Sequence, residues 1–168
     1  MYGQSRPVCS QCGFVHFLDP KVAVIGLVTH QDRVLLIQRG INPEKGKWAL
    51  PGGYMDAGEM PDRALQRELL EEVNLAVRVT ELLSIFPMLS NHAQGQSQGQ
   101  SQGQSEGQRM QSQGIVLAYR AQVANPQATT LVCADDACAA DWFAPTEIPR
   151  DLAFVSTQTL LTQWVEEL

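Results

Sequence analysis

The chain has 168 residues, 44% of them hydrophobic, and a formal net charge of −6, which suits one ordinary hydrophobic core rather than two generous domains. The acidic balance argues against a general nucleic-acid binder, which needs a basic surface. No run approaches the roughly 18 apolar residues of a membrane span and no secretory leader is evident, so the four cysteines predict a reducing, cytoplasmic setting rather than a disulfide scaffold.

In chain order, Cys9-Ser10-Gln11-Cys12-Gly13 comes first. Its spacing is half of a four-ligand zinc set, and His16 is a candidate third ligand. Cys133 and Cys138 are more loosely spaced, and nothing in the sequence places them near Cys9. The segment is read either as a zinc knuckle or as its relic, and residues 1–21 are set apart from a main domain at 22–168. Stretches 22–30 and 33–39, rich in Val, Ile and Leu, predict a β-hairpin across Gln31-Asp32. Further strands are expected at 77–86, 115–123 and 141–144. A closing amphipathic helix is expected at 154–167, with Val155, Leu160, Leu161, Trp164 and Val165 on its apolar side. Residues 94–114 carry a Gln-Gly-Gln-Ser repeat with Met110 as the single apolar residue. Such a stretch cannot offset the entropy of ordering. It predicts a disordered insert that the fold tolerates, with a substrate lid or partner-binding arm as the alternative.

The middle of the chain carries the chemistry. Pro51-Gly52-Gly53 permits a sharp turn in which backbone approaches a ligand, since glycine has no Cβ. Gly58 permits a second bend, and Pro61 suits the first turn of a helix. Met60 is a poor N-cap, which leaves Glu59 or Asp62 to meet the open N–H groups. From Pro61, Ala64, Leu65, Leu69 and Val73 form an apolar stripe. Beside it stand Glu68, Glu71 and Glu72, three and four residues apart and therefore neighbours on one face. Like charges gathered this way call for a cation, and an oxygen-only set suits Mg²⁺ or Mn²⁺ rather than Zn²⁺.

Residues 53–75 resemble the signature of the Nudix hydrolase superfamily. Gly53, Glu59, Arg67, Glu68, Leu69, Glu71, Glu72 and Leu75 match its pattern at the right spacing. Asn74 stands where that pattern has glycine, a departure that asparagine's tolerance of the left-handed conformation makes acceptable. Arg39 and the run Gly46-Lys47-Trp48-Ala49-Leu50-Pro51-Gly52-Gly53 look like the strand and loop that precede the signature. The resemblance implies an α/β fold, an α/β/α sandwich around a mixed β-sheet, with a metal-binding loop–helix–loop.

It also implies the site. Glu68, Glu71 and Glu72 would be catalytic and, with the Gly53 carbonyl, would hold Mg²⁺ or Mn²⁺. Glu68 is the first candidate for general base, with Asp135 and Asp136 as later-loop alternatives; these two and Arg39 are also the candidate substrate contacts. Glu59 and Arg67 are expected to brace the loop against the helix. Phe86 and Tyr119 are candidates for stacking on a base, Trp48, Trp142 and Trp164 are expected in the core, and His92 is read as incidental. Cys9 and Cys12 resemble half of the zinc ribbon that precedes the catalytic domain in some relatives. The expected activity is hydrolysis of a nucleoside diphosphate linked to another moiety, such as ADP-ribose, FAD or NADH. A house-cleaning nucleoside triphosphate pyrophosphatase and a non-catalytic nucleotide sensor are the alternatives. The expected partner is a small nucleotide-type molecule, with no nucleic acid or membrane and a homodimer possible.

Overall fold

The computed structural model describes residues 6–17, 19–88 and 114–168. Its elements are β1 (Lys21–His30), β2 (Arg33–Arg39), β3 (Trp48–Ala49), α1 (Pro61–Val73), β4 (Val77–Met88), β5 (Gly114–Val123), β6 (Ala137–Phe143), a 3₁₀ turn at Pro145–Glu147 and α2 (Val155–Glu166). Gln31 and Asp32 turn β1 into β2 with φ of 48° and 57°, the paired left-handed residues that a two-residue hairpin favours. β1 and β2 pair only at Thr29↔Val34 and His30↔Arg33. Beyond that point they diverge, and the divergence makes room for the site.

β1 runs parallel to β5 from Lys21 to Thr29, and β4 lies antiparallel on the far side of β5. β6 follows one edge of β2 from Val34 to Arg39. β3 pairs with Ile37 and Gln38, so β1 and β3 share the other edge in succession. Residues 51–55 enter the gap between them and bond to β1. Val24 N–H donates to the Gly53 carbonyl at 2.8 Å, Gly26 N–H to Pro51 at 2.9 Å and Met55 N–H to Val22 at 3.0 Å.

Strand alternation sorts the apolar residues into two layers. Val24, Val28, Leu35 and Ile37 face α1, against Ala64, Leu65, Leu69 and Val73. Leu27, Val34 and Leu36 face α2, against Leu160, Leu161 and Trp164. The expected mixed sheet between two helices is therefore present. A Cβ on Gly26 would stand 3.1 Å from Leu65 Cδ1, so glycine there lets α1 settle onto the sheet.

Several boundaries differ from expectation. β6 starts at Ala137, four residues before 141, because the weak apolar signal of Ala137, Ala139 and Ala140 conceals a strand held by its pairing with β2. β4 extends to Met88, and Gly114, counted with the insert, opens β5 opposite Lys21. The remainder of the insert, and His92, lie outside the described residues. β3 and the 3₁₀ turn carry no periodicity that could reveal them. At the N-terminus residues 7–16 form a small hairpin with a Val8↔Val15 bridge. It adds no residue to either core cluster. Among the described residues no helix is long and apolar enough to cross a membrane.

Candidate active site

α1 begins without a side-chain cap. Met60 is the N-cap residue and is extended at φ −82° and ψ 143°, while its carbonyl accepts the N–H groups of Arg63 and Ala64. Glu59 does not cap the helix as anticipated. Its Oε2 accepts the Asp56 N–H at 3.2 Å, and both its oxygens accept from Arg67. The helix ends at Asn74 with φ 54° and ψ 37°, the left-handed geometry expected of the residue that replaces glycine. The loop that follows β5 then docks on this end. Val132 N–H donates to the Val73 carbonyl at 3.0 Å and Ala134 N–H to the Glu72 carbonyl at 2.9 Å.

Of the two glycines in the gap between β1 and β2, Gly52 is sterically required, and Gly53 leaves room for the Glu68 carboxylate. Gly52 has φ 141°, and a Cβ there would collide with the Val24 carbonyl oxygen. A Cβ on Gly53 would come within 2.5 Å of the Glu68 carboxyl carbon. The glycines thus form a backbone cradle into which α1 lowers its acids. Gly52 N–H donates to Glu72 Oε2 at 2.9 Å. The Gly53 carbonyl accepts the Val24 N–H, which leaves it a second lone pair.

The three glutamates are not equivalent. Glu68 and Glu72 are buried, at 9% and 3% exposure, whereas Glu71 is exposed. Burial pushes the Glu72 carboxyl up to about 8; the charges of Glu68 and Asp136 add to this, and the Gly52 N–H and Arg39 oppose it. Burial likewise raises Glu68, against the pull of Arg67 and with help from Glu71 and Asp135. Arg67 stands between these groups. Its Nε and Nη2 fork onto Glu59 at 3.0 Å each. Its Nη1 donates to both Glu68 and Glu71 at 2.9 Å, and its Nη2 also donates to the Tyr54 carbonyl at 3.0 Å. The guanidinium is held firmly protonated, and it draws the Glu59 carboxyl below its ordinary range.

Asp135 and Asp136 are brought near this cluster, since their charges act on Glu68 and Glu72 respectively. The Asp136 carbonyl also accepts the Gly40 N–H. Arg39 lies at the same end, with Nε donating to the Pro43 carbonyl at 2.8 Å and its guanidinium 5.0 Å from the Phe154 ring centre. Among the described residues no three His, Cys, Asp or Glu side chains converge closely enough to hold a metal. The donor chemistry nevertheless fits a hard divalent cation. Two desolvated carboxylates against a backbone cradle are costly without a positive charge to offset them. Sequence reading did not foresee the Gly52 N–H or the Tyr54 carbonyl as partners. Only the Gly-Gly pair hinted at a close backbone approach.

The remaining candidates lie apart. Cys9 and Cys12 are exposed. Hydrogen bonds from the Cys12 and Gln11 backbone N–H groups pull the Cys9 thiol down, but neither His16 nor any other described residue completes a set of three ligands with them. Tyr119 packs into the α1 layer and Phe86 against the α2 layer. Trp48 meets Phe143 edge to face, with ring centres 4.9 Å apart.

This geometry agrees with the likeness to known proteins. The family model described as NUDIX domain matches residues 18–165, and the chain belongs to the Nudix hydrolase superfamily. A crystal structure of a NUDIX hydrolase from Nitrosomonas europaea superposes with a TM-score of 0.76 at 27% identity, covering 98% of this chain and 82% of that one. A MutT NUDIX hydrolase from Burkholderia pseudomallei gives 0.67 at 26% identity, covering 87% and 98%. An ADP-ribose pyrophosphatase of Methanocaldococcus jannaschii is 43% identical over 70 residues, which span 42% of this chain and 41% of that protein. The human 8-oxo-dGDP phosphatase NUDT18 is 42% identical over 64 residues, 38% of this chain and 20% of its own length. The matched stretch is thus well under half of each of these two relatives.

Proposed function

We propose that this chain is a divalent-cation-dependent pyrophosphohydrolase that cleaves the diphosphate of a nucleoside diphosphate linked to another moiety, of the ADP-ribose, FAD or NADH type. The observation that carries this reading is the pair of buried carboxylates, Glu68 and Glu72, held against the Gly52-Gly53 cradle. Glu68, Glu71, Glu72 and the Gly53 carbonyl would hold Mg²⁺ or Mn²⁺. Such an ion neutralises diphosphate charge and lowers the pKa of a bound water.

The protein's own groups supply position and proton transfer. Glu68 accepts a proton from the attacking water, as a positioned carboxylate can. Asp135 and Asp136 are the alternative bases. One P–O bond forms to water as the bridging P–O bond breaks, and the leaving phosphate carries off the bond's electron pair. Arg67 and Glu59 position Glu68 and Glu71 without meeting the substrate, and Arg39 neutralises a substrate phosphate. Since phosphoryl transfer depends mainly on positioning and electrostatics, no covalent intermediate is required.

The ADP-ribose reading draws support from the Methanocaldococcus relative. A nucleoside triphosphate or oxidised nucleotide substrate draws support from the NUDT18 likeness. Product release from ADP-ribose, FAD, NADH, nucleotide sugars and nucleoside triphosphates in Mg²⁺ or Mn²⁺, with Glu72→Gln alongside, tests both. Metal-dependent cleavage lost in the variant is the expected result. Cleavage that survives the substitution would sink the assignment, and silence across the panel would favour a nucleotide sensor.

A further inference from the structure

The face of the sheet opposite α1 is not fully covered by α2, and the open part lies next to the proposed site. Gly53 turns its Cα toward Glu68, so Tyr54, the next residue on an extended segment, projects to the other face. Its carbonyl meanwhile is held by Arg67, the same guanidinium that grips Glu68 and Glu71. Tyr54 pairs with Ala23, Ala23 with Val116, and Val116 with Phe86. One step along the strands, Lys21 pairs with Gly114 and Gly114 with Met88.

The Tyr54 hydroxyl meets Met88 Sδ at 3.6 Å. Their strands stand three spacings apart, roughly 14 Å, so the two side chains reach toward each other across β1 and β5. Two small residues allow this. Ala23 lies in the row beneath them, and a Cβ on Gly114 would come within 3.1 Å of Met88 Sδ. The ring is 52% exposed, and Lys21 Nζ stands 5.0 Å from its centre. Among the described residues the ring is left half open, with a cation beside it and its backbone tied to the acid cluster.

We infer that Tyr54 is a substrate-binding residue whose ring, laid over Ala23 and Gly114, stacks on the nucleobase of the substrate, with Lys21 at the rim for the nearby anionic charge. Stacking is sequence-tolerant because every base has a π-face, and it adds binding without touching the reacting phosphorus. The inference rests on the proposed diphosphate site, so its test reads binding as well as turnover.

AMP and ribose 5-phosphate carry the same phosphate and sugar but differ in the base. Their affinities for the full chain in Mg²⁺ can be measured by calorimetry for wild type, Tyr54→Phe, Tyr54→Ala and Lys21→Ala. Tyr54→Ala should weaken AMP about tenfold, the scale of one base–aromatic stack, and leave ribose 5-phosphate unchanged. Tyr54→Phe, which keeps the ring, should retain AMP binding, and Lys21→Ala should weaken both ligands slightly. For any cleaved nucleotide, Tyr54→Ala should raise KM with kcat preserved. Equal AMP affinity in wild type and Tyr54→Ala overturns the inference, as does a parallel loss of both ligands or no AMP binding by wild type. A loss of AMP affinity in Tyr54→Phe equal to that in Tyr54→Ala would also overturn it. Absence of hydrolysis with base-dependent AMP binding intact would instead count against the proposed activity alone.

Discussion

α1 and α2 are nearly equal in length, and each covers one face of the same sheet, yet they bury different chemistry. α2 brings Leu160, Leu161 and Trp164 into its layer, and its one buried polar side chain is Thr157. The hydroxyl of Thr157 stands 3.4 Å from the Leu50 N–H. α1 has an apolar stripe of the same kind but also buries Glu68 and Glu72. A helix that serves only as a lid has no reason to desolvate two acids, because each costs folding free energy unless it is paired or neutralised. The contrast separates a supporting layer from one that sacrifices stability for a site.

The largest expected effect is on α1. Glu72→Gln should lower kcat by about a hundredfold or more, the scale of removing one pre-set electrostatic group, while the metal-free protein melts at the same temperature or higher. Steady-state kinetics beside a thermal melt measures both. Gly53→Ala should come next, since its methyl group must displace the Glu68 carboxylate. Loss of activity with the fold retained by circular dichroism is the expected outcome, and full activity would remove the cradle from the argument.

On the α2 side the order of effects reverses. Leu161→Ala should cost about 2–5 kcal/mol of stability in denaturant unfolding, with kcat near wild type wherever the variant remains folded. A kcat loss matching that of Glu72→Gln would erase the distinction between the helices.

Proton linkage gives a subtler contrast. Glu72 keeps its proton to about pH 8 in the folded chain, against 4.5 for an ordinary glutamate. Between those values the folded state binds the extra proton, so metal-free stability should fall as pH rises, by at most about 1.4 kcal/mol per pH unit. Glu68, also raised, acts in the same sense. Added Mg²⁺ should therefore stabilise more at high pH than at low, and Glu72→Gln should flatten both trends in melts across that range. The smallest effect belongs to Thr157→Val, about 1 kcal/mol for one buried hydrogen bond, with no change in rate.

Much of this is legible in the sequence alone. The hairpin across Gln31 and Asp32, the stripe of α1 and the left-handed helix end at Asn74 follow from local rules acting over a few residues. The signature at 53–75 likewise carried the acids and their spacing. β3 and the first half of β6 were illegible, because two residues and a run of alanines hold strand geometry only through β2. The inequality of the three glutamates was hidden for a related reason. Helical spacing places Glu68, Glu71 and Glu72 side by side, but burial depends on where the Gly52-Gly53 backbone lies in space.

The family, the two-layer pattern of the sheet and the identity of the acidic residues are all local information, because periodicity and motif spacing are properties of neighbouring positions. Long-range packing sets the divergence of β1 and β2 after their tip, the filling of the gap by residues 51–55, and the link from Arg67 to Glu59, Glu68, Glu71 and the Tyr54 carbonyl. Those outcomes depend on contacts between distant segments, where desolvation and steric fit, rather than local propensity, set the energy.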